Sequence, residues 1–372
     1  MTRTVLVVGG GTAGNALTVL LRRAGHAVDL VEAEPSWNAT AGSGITLQGN
    51  ALRVLREVGV LDAVLREGFP FDGMSLLAPT GEVLTAQPGA RLGGDDLPAT
   101  TGMRRPQLQQ LLIDAVRASG ASVRLGVTVT ALDSDSGDAA FSDGTTGRYD
   151  LVVGADGLNS ATRRLIGITD VPAPTGMAIW RAPVPRPKGL EHTQMIYGGP
   201  CFIAGCCPTG PETAYAYLVE RNRDRGDIDP STYADEMLRL ARGYGGPWPE
   251  IRGALTDPAV VNYTWFDRLL VEGPWHRGRV VLVGDAAHAC PPTLAQGAAM
   301  SLEDASVLAE LLTTHDTWDD ALLTTYRDRR YPRVRVVVDA SVQLGQWLLD
   351  DARDADVPGL MGRVMATLGQ RP

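Results

Sequence analysis

Lysine is nearly absent from this chain. Lys188 stands alone among 34 basic residues, the rest being arginine, an imbalance that fits the coding bias of a GC-rich genome. Positive charge is short overall: 34 basic against 43 acidic residues leave a net charge of −9. That balance excludes nucleic acid as a general partner, because binding phosphates needs a basic surface. Cysteine is scarce too. The four, Cys201, Cys206, Cys207 and Cys290, have no CxxC spacing, which excludes a zinc site and a disulfide framework and leaves buried, reduced thiols. The five histidines show no metal-ligand spacing. No run reaches the roughly eighteen apolar residues of a bilayer span. The opening "MTRTVLVVGGGTAG" breaks into glycines too early for a secretory signal, so a cytoplasmic protein is expected. Internal repeats and low-complexity segments are also missing.

What is present is ordinary for a large globular chain: 372 residues, 44% hydrophobic and 21% charged, enough to bury a substantial core. "TVLVVGGG" reads as a buried strand entering a tight turn. "TAGNALTVLLRRAG" places Leu17, Leu20 and Leu21 at helical spacing and stops at Gly25. "AVDLVEAEP" is a second strand, which completes a βαβ unit and implies a parallel sheet. "GNALRVLREVGVLDAVL" and "RRPQLQQLLIDAVRASG" predict helices, the latter with Pro106 at its start. "SVRLGVTVTAL" alternates as a strand, and Asp143-Gly144 marks a hairpin. From about Val171 to Tyr263 helical periodicity gives way to strands such as "AIWRAPVP", "QMIYG", "CFIAGCC" and "AYAYLVE", with one helix near "STYADEMLRLARG". This is the pattern of an antiparallel sheet. The βα style returns at "RVVLVGDAA", and the C-terminal part is helical. The nucleotide-binding unit is therefore expected to be discontinuous: residues 1–71, 101–170 and 264–372, interrupted by a mostly β unit built from 72–100 and 171–263.

Gly9-Gly10-Gly11-Thr12-Ala13-Gly14 satisfies GxGxxG directly between a strand and a helix. Glycines at Gly9, Gly11 and Gly14 allow a tight turn, close approach of a pyrophosphate, and helix–strand packing. The helix N-terminus then offers free N–H groups to the phosphates. Glu32 ends the second strand, where its carboxylate accepts from ribose hydroxyls and repels a 2′-phosphate, so tightly held NADP is excluded. NAD and FAD both remain open on this motif alone.

Two further segments narrow the choice. "YDLVVGADGLNSATRR" puts Asp156-Gly157 at a strand end, followed by Ser160 and Arg163. "GRVVLVGDAAHACPP" puts Gly284-Asp285 at another, followed by His288 and Pro292. Together with GxGxxG, these resemble the three-motif signature of the flavoprotein aromatic hydroxylases, the p-hydroxybenzoate hydroxylase-like FAD monooxygenases. The resemblance runs from Gly9 to Asp304. It implies an α/β fold with a discontinuous, Rossmann-like FAD-binding domain of that family's type, an inserted and mostly antiparallel β substrate domain, and a helical C-terminus. It also implies tightly held FAD, with NAD(P)H as a transient co-substrate that reduces the flavin. O₂ then forms a flavin C4a-hydroperoxide, which hydroxylates an aromatic or heteroaromatic molecule. By the same resemblance Arg105 of "RPQL" contacts the cofactor, with Arg104 its neighbour, and Asp285 accepts from the ribityl hydroxyls. Asp156 supports the pyrophosphate region and the use of NAD(P)H. Pro292 lies beside the ring, and the backbone N–H groups of Gly297, Ala298 and Ala299 face the pyrimidine end, where a helix N-terminus stabilises negative charge. The chain departs from the family at Ala295 and Ala299, where GQGxN is common, and at Asn15, where an apolar residue is usual. His288 is given a structural role.

For the substrate, the resemblance places Tyr197 where a relative's Tyr bonds a substrate phenol. Cys206 and Pro208 stand where a carboxylate clamp would be, which favours a less charged or larger ring than p-hydroxybenzoate. Arg181 binds an anion or sits on a solvent face. Tyr215 and Tyr217 share one strand face and line the pocket or fill core. Thr46 lies in a loop that lines the pocket in relatives. Two rival functions share the cofactor: an FAD-dependent dehydrogenase or reductase, and a flavin-holding protein that sequesters a drug-like ligand. The expected assembly is a monomer or homodimer.

Overall fold

The strand Thr4–Val8 is apolar after its first residue and buried on both sides, as a central parallel strand must be. A computed structural model describes residues 2–37, 44–224 and 228–372. Six strands form one sheet in the order His276–Arg277, Val280–Leu282, Leu151–Gly154, Thr4–Val8, Ala27–Glu32, Ser122–Leu125. All neighbours are parallel except at the His276–Arg277 edge. The register pairs Val8 with Gly154, and Gly154 with Leu282. Three strands remote in sequence therefore end side by side, and the residues that follow them begin the three glycine–acid motifs. Open α/β sheets bind ligands at these carboxyl ends. The helices Thr12–Arg23, Arg105–Ser119 and Gly297–Thr314 pack together against this sheet.

A second sheet has eight strands in the order His288–Ala289, Asn262–Leu270, Ala173–Pro185, Thr213–Arg221, Ile203–Pro208, Thr193–Tyr197, Met74–Leu77, Val83–Gln87. Its pairs are antiparallel save Thr193–Tyr197 with Met74–Leu77. The period-two alternation gives it two distinct faces. One face, with Trp180, Cys206, Ala216 and Leu218, packs on the helices Tyr233–Ala241 and Trp248–Ala254. The other carries Arg181, Cys207, Tyr215 and Tyr217, paired across neighbouring strands. A three-stranded sheet, Ile45–Gln48, Thr100–Met103 and Phe69–Phe71, lies directly behind this second face. The approach is close: a Cβ on Gly102 would sit 1.9 Å from the Pro208 carbonyl oxygen.

Two elements expected to be continuous are broken by glycine. The helix expected from Gly49 onward is two, Gly49–Val58 and Leu61–Glu67, because Gly59 turns left-handed at φ +81° and caps the first. The strand expected across Ser122–Leu132 is also two. Gly126, at φ +71°, sends Ser122–Leu125 to the parallel sheet and Val129–Asp133 to a separate hairpin sheet. Two helices, Trp248–Ala254 and Val357–Leu368, carry proline in their first turn and were not legible by apolar periodicity. Among the described residues no helix is long and apolar enough to cross a membrane.

Candidate functional site

At the first strand end, Gly9 adopts φ +107°, and a Cβ there would lie 2.4 Å from the Ala155 oxygen. A Cβ on Gly14 would lie 2.0 Å from the Gly9 oxygen, so the helix Thr12–Arg23 touches its own turn. Gly11 differs: no described atom would lie within 4 Å of its Cβ, which points into the cleft. Gly11 is also the helix N-cap and has no side chain to cap it, so the first-turn N–H groups stay available. Glu32 accepts from the Gly10 N–H at 2.7 Å through one carboxylate oxygen and from Glu34 N–H at 2.9 Å through the other. Asn15, the departure from the usual apolar residue, is fully buried and donates to the Gly10 carbonyl at 2.8 Å. Gln109 donates to the same carbonyl at 2.7 Å, and the Trp37 indole N–H at 3.4 Å. Both line the cleft with Gly11, Thr12, Glu32 and Arg105, and sequence reasoning missed both.

At the second strand end, Asp156 accepts from the Ser160 hydroxyl at 2.5 Å and from Thr162 N–H at 2.8 Å, while Ser160 itself caps the short helix Ala161–Leu165 by accepting from Arg163 N–H. Arg163, buried, donates to Leu158 and Ala286 carbonyls at 2.9 Å each and ties this strand end to the third. There, Asp285 faces the cleft, and no described residue donates a hydrogen bond to its carboxylate. Burial raises its pKa, with His288 and Arg105 pulling it down and Asp304 pushing it further up. A carboxylate open to the cleft this way, with free lone pairs, suits the hydroxyls of a polyol chain. Arg105 opens the helix Arg105–Ser119, whose N-cap Arg104 makes no capping bond. Arg105 lines the Gly10–Thr12 cleft and also acts electrostatically on Asp285 and on Arg181.

The loop after Pro292 leads to the helix Gly297–Thr314, whose N-cap Gln296 makes no side-chain cap. The N–H groups of Gly297, Ala298 and Ala299 are therefore left for another acceptor. Ala295, where relatives often have glycine, is held left-handed at φ +52°. That conformation costs a non-glycine residue about 1–2 kcal/mol and persists only where surroundings enforce it. Taken together, the open Gly11, the unpartnered Asp285 facing the cleft and three uncapped helix starts fit an extended dinucleotide such as FAD.

Across the cleft, Thr46 Oγ1 lies 3.2 Å from the Tyr215 hydroxyl and 4.0 Å from Cys207 Sγ. A Cβ on Gly44 would meet the Tyr215 ring at 2.1 Å. Tyr215 and Tyr217 stack with centroids 5.4 Å apart, and burial raises the pKa of both phenols. Arg181 is bonded to Thr264 Oγ1 at 2.6 Å and has no acidic partner among the described residues. Burial, then Arg105, lowers its pKa, against a weaker opposing effect of Tyr215. Tyr197 ends the strand Thr193–Tyr197 and is 46% exposed, with desolvation by its surroundings raising its phenol pKa. Cys206 requires correction. It points to the helix-packed face, and strand alternation puts Cys207 on the cleft side instead. Burial lifts the Cys207 thiol to about 11, against donation by Thr193 and Thr46. Pro208, two residues beyond Cys206, shares its face by alternation and pairs with Ala214 of the helix-packed core.

Sequence reasoning also missed a buried polar cluster behind the cleft. His288 Nε2 lies 2.6 Å from Asp304 Oδ2, which accepts from Gly284 N–H at 2.8 Å. Arg330 and Arg333 clasp Asp304 and Glu303 at 2.7 to 2.9 Å. The signal was faint: Arg330 and Arg333 stand three apart on an expected helix, where arginines normally face solvent.

Residues 2–341 match a family described as FAD binding domain. The chain is 33% identical over 353 residues to the 2-heptyl-3-hydroxy-4(1H)-quinolone synthase of Pseudomonas aeruginosa, covering 92% of this chain and 90% of that protein. It is 32% identical over 352 residues to the aurachin C monooxygenase/isomerase of Stigmatella aurantiaca, again covering 92% and 90%. The tetrameric form of 2-methyl-3-hydroxypyridine-5-carboxylic acid oxygenase superposes with a TM-score of 0.79 at 26% identity, over 94% of this chain and 92% of that one.

Proposed function

The chain belongs to the FAD-binding family of flavoprotein monooxygenases, and from that premise we propose which residues hold the cofactor and what the cleft accepts. Bound FAD supplies the electron transfer from NAD(P)H and the activation of O₂. The protein's own part is to bind, orient and exclude water. In this proposal Gly9, Gly11 and Gly14 with Glu32 hold the ADP half, and Arg105 compensates pyrophosphate charge. Asp285 accepts from the ribityl hydroxyls. The N–H groups of Gly297, Ala298 and Ala299 oppose the negative charge that reduction creates at the ring. Asp156 serves the fold of the pyrophosphate end by holding the cap residue Ser160 and the Thr162 N–H at the start of the Ala161–Leu165 helix.

The substrate wall is assigned to Arg181, Tyr197, Tyr215, Tyr217, Thr46 and Cys207. One observation carries the substrate class: a half-buried Arg181 with no acidic partner among the described residues, beside two stacked tyrosines. A half-buried guanidinium without a carboxylate partner favours an anionic or strongly polarised oxygen. The tyrosine pair offers a flat wall to a planar ring. The substrate is therefore a planar heteroaromatic bearing an ionisable or carbonyl oxygen, the chemistry to which the relative's 4-quinolone also belongs. No helix among the described residues is long and apolar enough to cross a membrane, and the assembly we propose is a monomer or homodimer.

The test is direct. Purified protein, yellow with FAD, is screened with hydroxypyridines, quinolones and neutral polycyclic aromatics for accelerated NAD(P)H oxidation and for product mass. Ring-oxygenated product from an oxygen-bearing heteroaromatic is expected, and Arg181→Met raises its KM. Turnover of neutral hydrocarbons alone, or NAD(P)H oxidation without oxygenated product from any aromatic, overturns the assignment.

A further inference from the structure

The loop that leads into the Gly297–Thr314 helix is held by side chains from distant segments as well as by its own Ala295 N–H to Pro292 carbonyl bond. Gln48 brackets the strained Ala295, donating to the Leu294 carbonyl at 2.8 Å and accepting from Gln296 Nε2 at 2.5 Å. Asn50 donates to Gln296 Oε1 at 3.0 Å and to Glu303 Oε1 at 3.1 Å. Glu303 is fully buried and shared by Arg330 and Arg333; Arg330 also bonds Asp304, which holds the Gly284 N–H. One unbroken chain of bonds thus runs from Gly284, beside Asp285, to Gln296 at the start of the Gly297–Thr314 helix. Asn50, Gln296, Glu303, Asp304 and Arg330 are all fully buried.

Buried ion clusters are poor sources of stability, because desolvation offsets most of their attraction, and their best-attested use is to fix register. Here the register has a definite target. With its amide engaged by Gln48 and Asn50, Gln296 does not cap its own helix, and the first-turn N–H groups stay free. Arg330 grips the same helix one turn on, at the Met300 carbonyl, 3.2 Å away.

We propose that the Gln48–Gln296–Asn50–Glu303 relay, anchored by Arg330 and Arg333, is a positioning device that holds the uncapped helix start against the flavin ring and so raises the enzyme's preference for reduced over oxidised FAD. The inference rests on the FAD-holding roles proposed above. These residues do not touch the reacting atoms; they act through the loop.

Asn50→Leu cuts the relay while leaving Glu303 paired with both arginines. FAD content, apoprotein melting temperature and the two-electron potential of the bound flavin are measured on wild type and variant. The variant is expected to keep stoichiometric FAD, since the ADP end is untouched. Its potential falls by about 30 mV or more, a tenfold loss of preference for the reduced form. A purely structural role lowers the melting temperature and leaves the potential unmoved, and that result overturns the proposal. Should Asn50→Leu fail to fold, Gln48→Met removes both amide contacts at near-constant volume and is read by the same potential. Wild-type protein that takes up no FAD overturns the cofactor assignment itself, and this inference with it.

Discussion

The three fingerprint glycines answer to three different constraints, and substitutions separate them. Gly14 has no room, its Cβ falling 2.0 Å from a backbone oxygen. Gly14→Ala is expected to destabilise the apoprotein itself, as crowding against backbone does. Gly11→Ala finds nothing within 4 Å in the protein and an ordinary φ of −81°. The apoprotein should melt within about 0.5 kcal/mol of wild type. FAD affinity, by fluorescence titration, should fall at least about tenfold, because the added carbon enters the pyrophosphate's space. If both variants melt alike and bind FAD alike, the division of roles is wrong. Asp285 shows a second residue-scale conflict. Burial raises its pKa, so its charged form is disfavoured in the fold. Asp285→Asn should leave the apoprotein as stable as wild type or more so, while weakening FAD, the usual exchange between stability and function. An apoprotein less stable by denaturant unfolding would contradict it. The glycine fingerprint and the aspartate were legible in the sequence. Asp285's isolation was not, since it depends on which side chains fail to reach it.

At the scale of elements, the concave face of the eight-stranded sheet depends on one glycine on a neighbouring strand. A Cβ on Gly205 would meet the Tyr217 ring at 2.2 Å, so the ring lies over the Ile203–Pro208 strand only because position 205 has no side chain. Gly205→Ala should tilt Tyr217 out of its stack with Tyr215. The expected result is a several-fold higher KM for the aromatic substrate with FAD content unchanged; an unchanged KM would remove Tyr217 from the substrate wall. Alternation along "AYAYLVE" showed that Tyr215 and Tyr217 share a face, and the structure adds that the face is the one toward Thr46. On the adjacent strand the resemblance placed Cys206 at the pocket, where alternation puts Cys207 instead. A single-residue slip inverts every side chain of a strand, which is why strand faces are fragile inferences.

For the whole molecule, the buried cluster makes an acid-stability prediction. Burial alone would raise the Asp304 pKa, but His288 and Arg330 hold it down at about 2. Glu303 is lowered as well, by Arg330 and Arg333 against its own burial. A depressed carboxyl contributes stability that is present above its unfolded pKa and is lost as pH falls toward its folded one. Unfolding free energy should therefore drop steeply below about pH 4. Asp304→Asn should cost about 3–5 kcal/mol near neutrality by leaving Arg330 short of a partner, and should flatten the acid limb. An unaltered acid limb in urea titrations would place the acid sensitivity elsewhere.

The sequence by itself determined the kind of protein: strand–glycine–acid motifs, in order, state their chemistry locally because a backbone turn and a carboxylate at a strand end work wherever they occur. It determined the parallel and antiparallel regions for the same reason, since period and turn residues are local properties. Only the tertiary structure decided that the three strand ends lie side by side, that Arg105 acts electrostatically on both Asp285 and Arg181, and that Gln296 is held by Asn50 rather than by its own helix. Those facts are set by register and packing between segments as far as 250 residues apart, and no local pattern encodes which buried group will meet which.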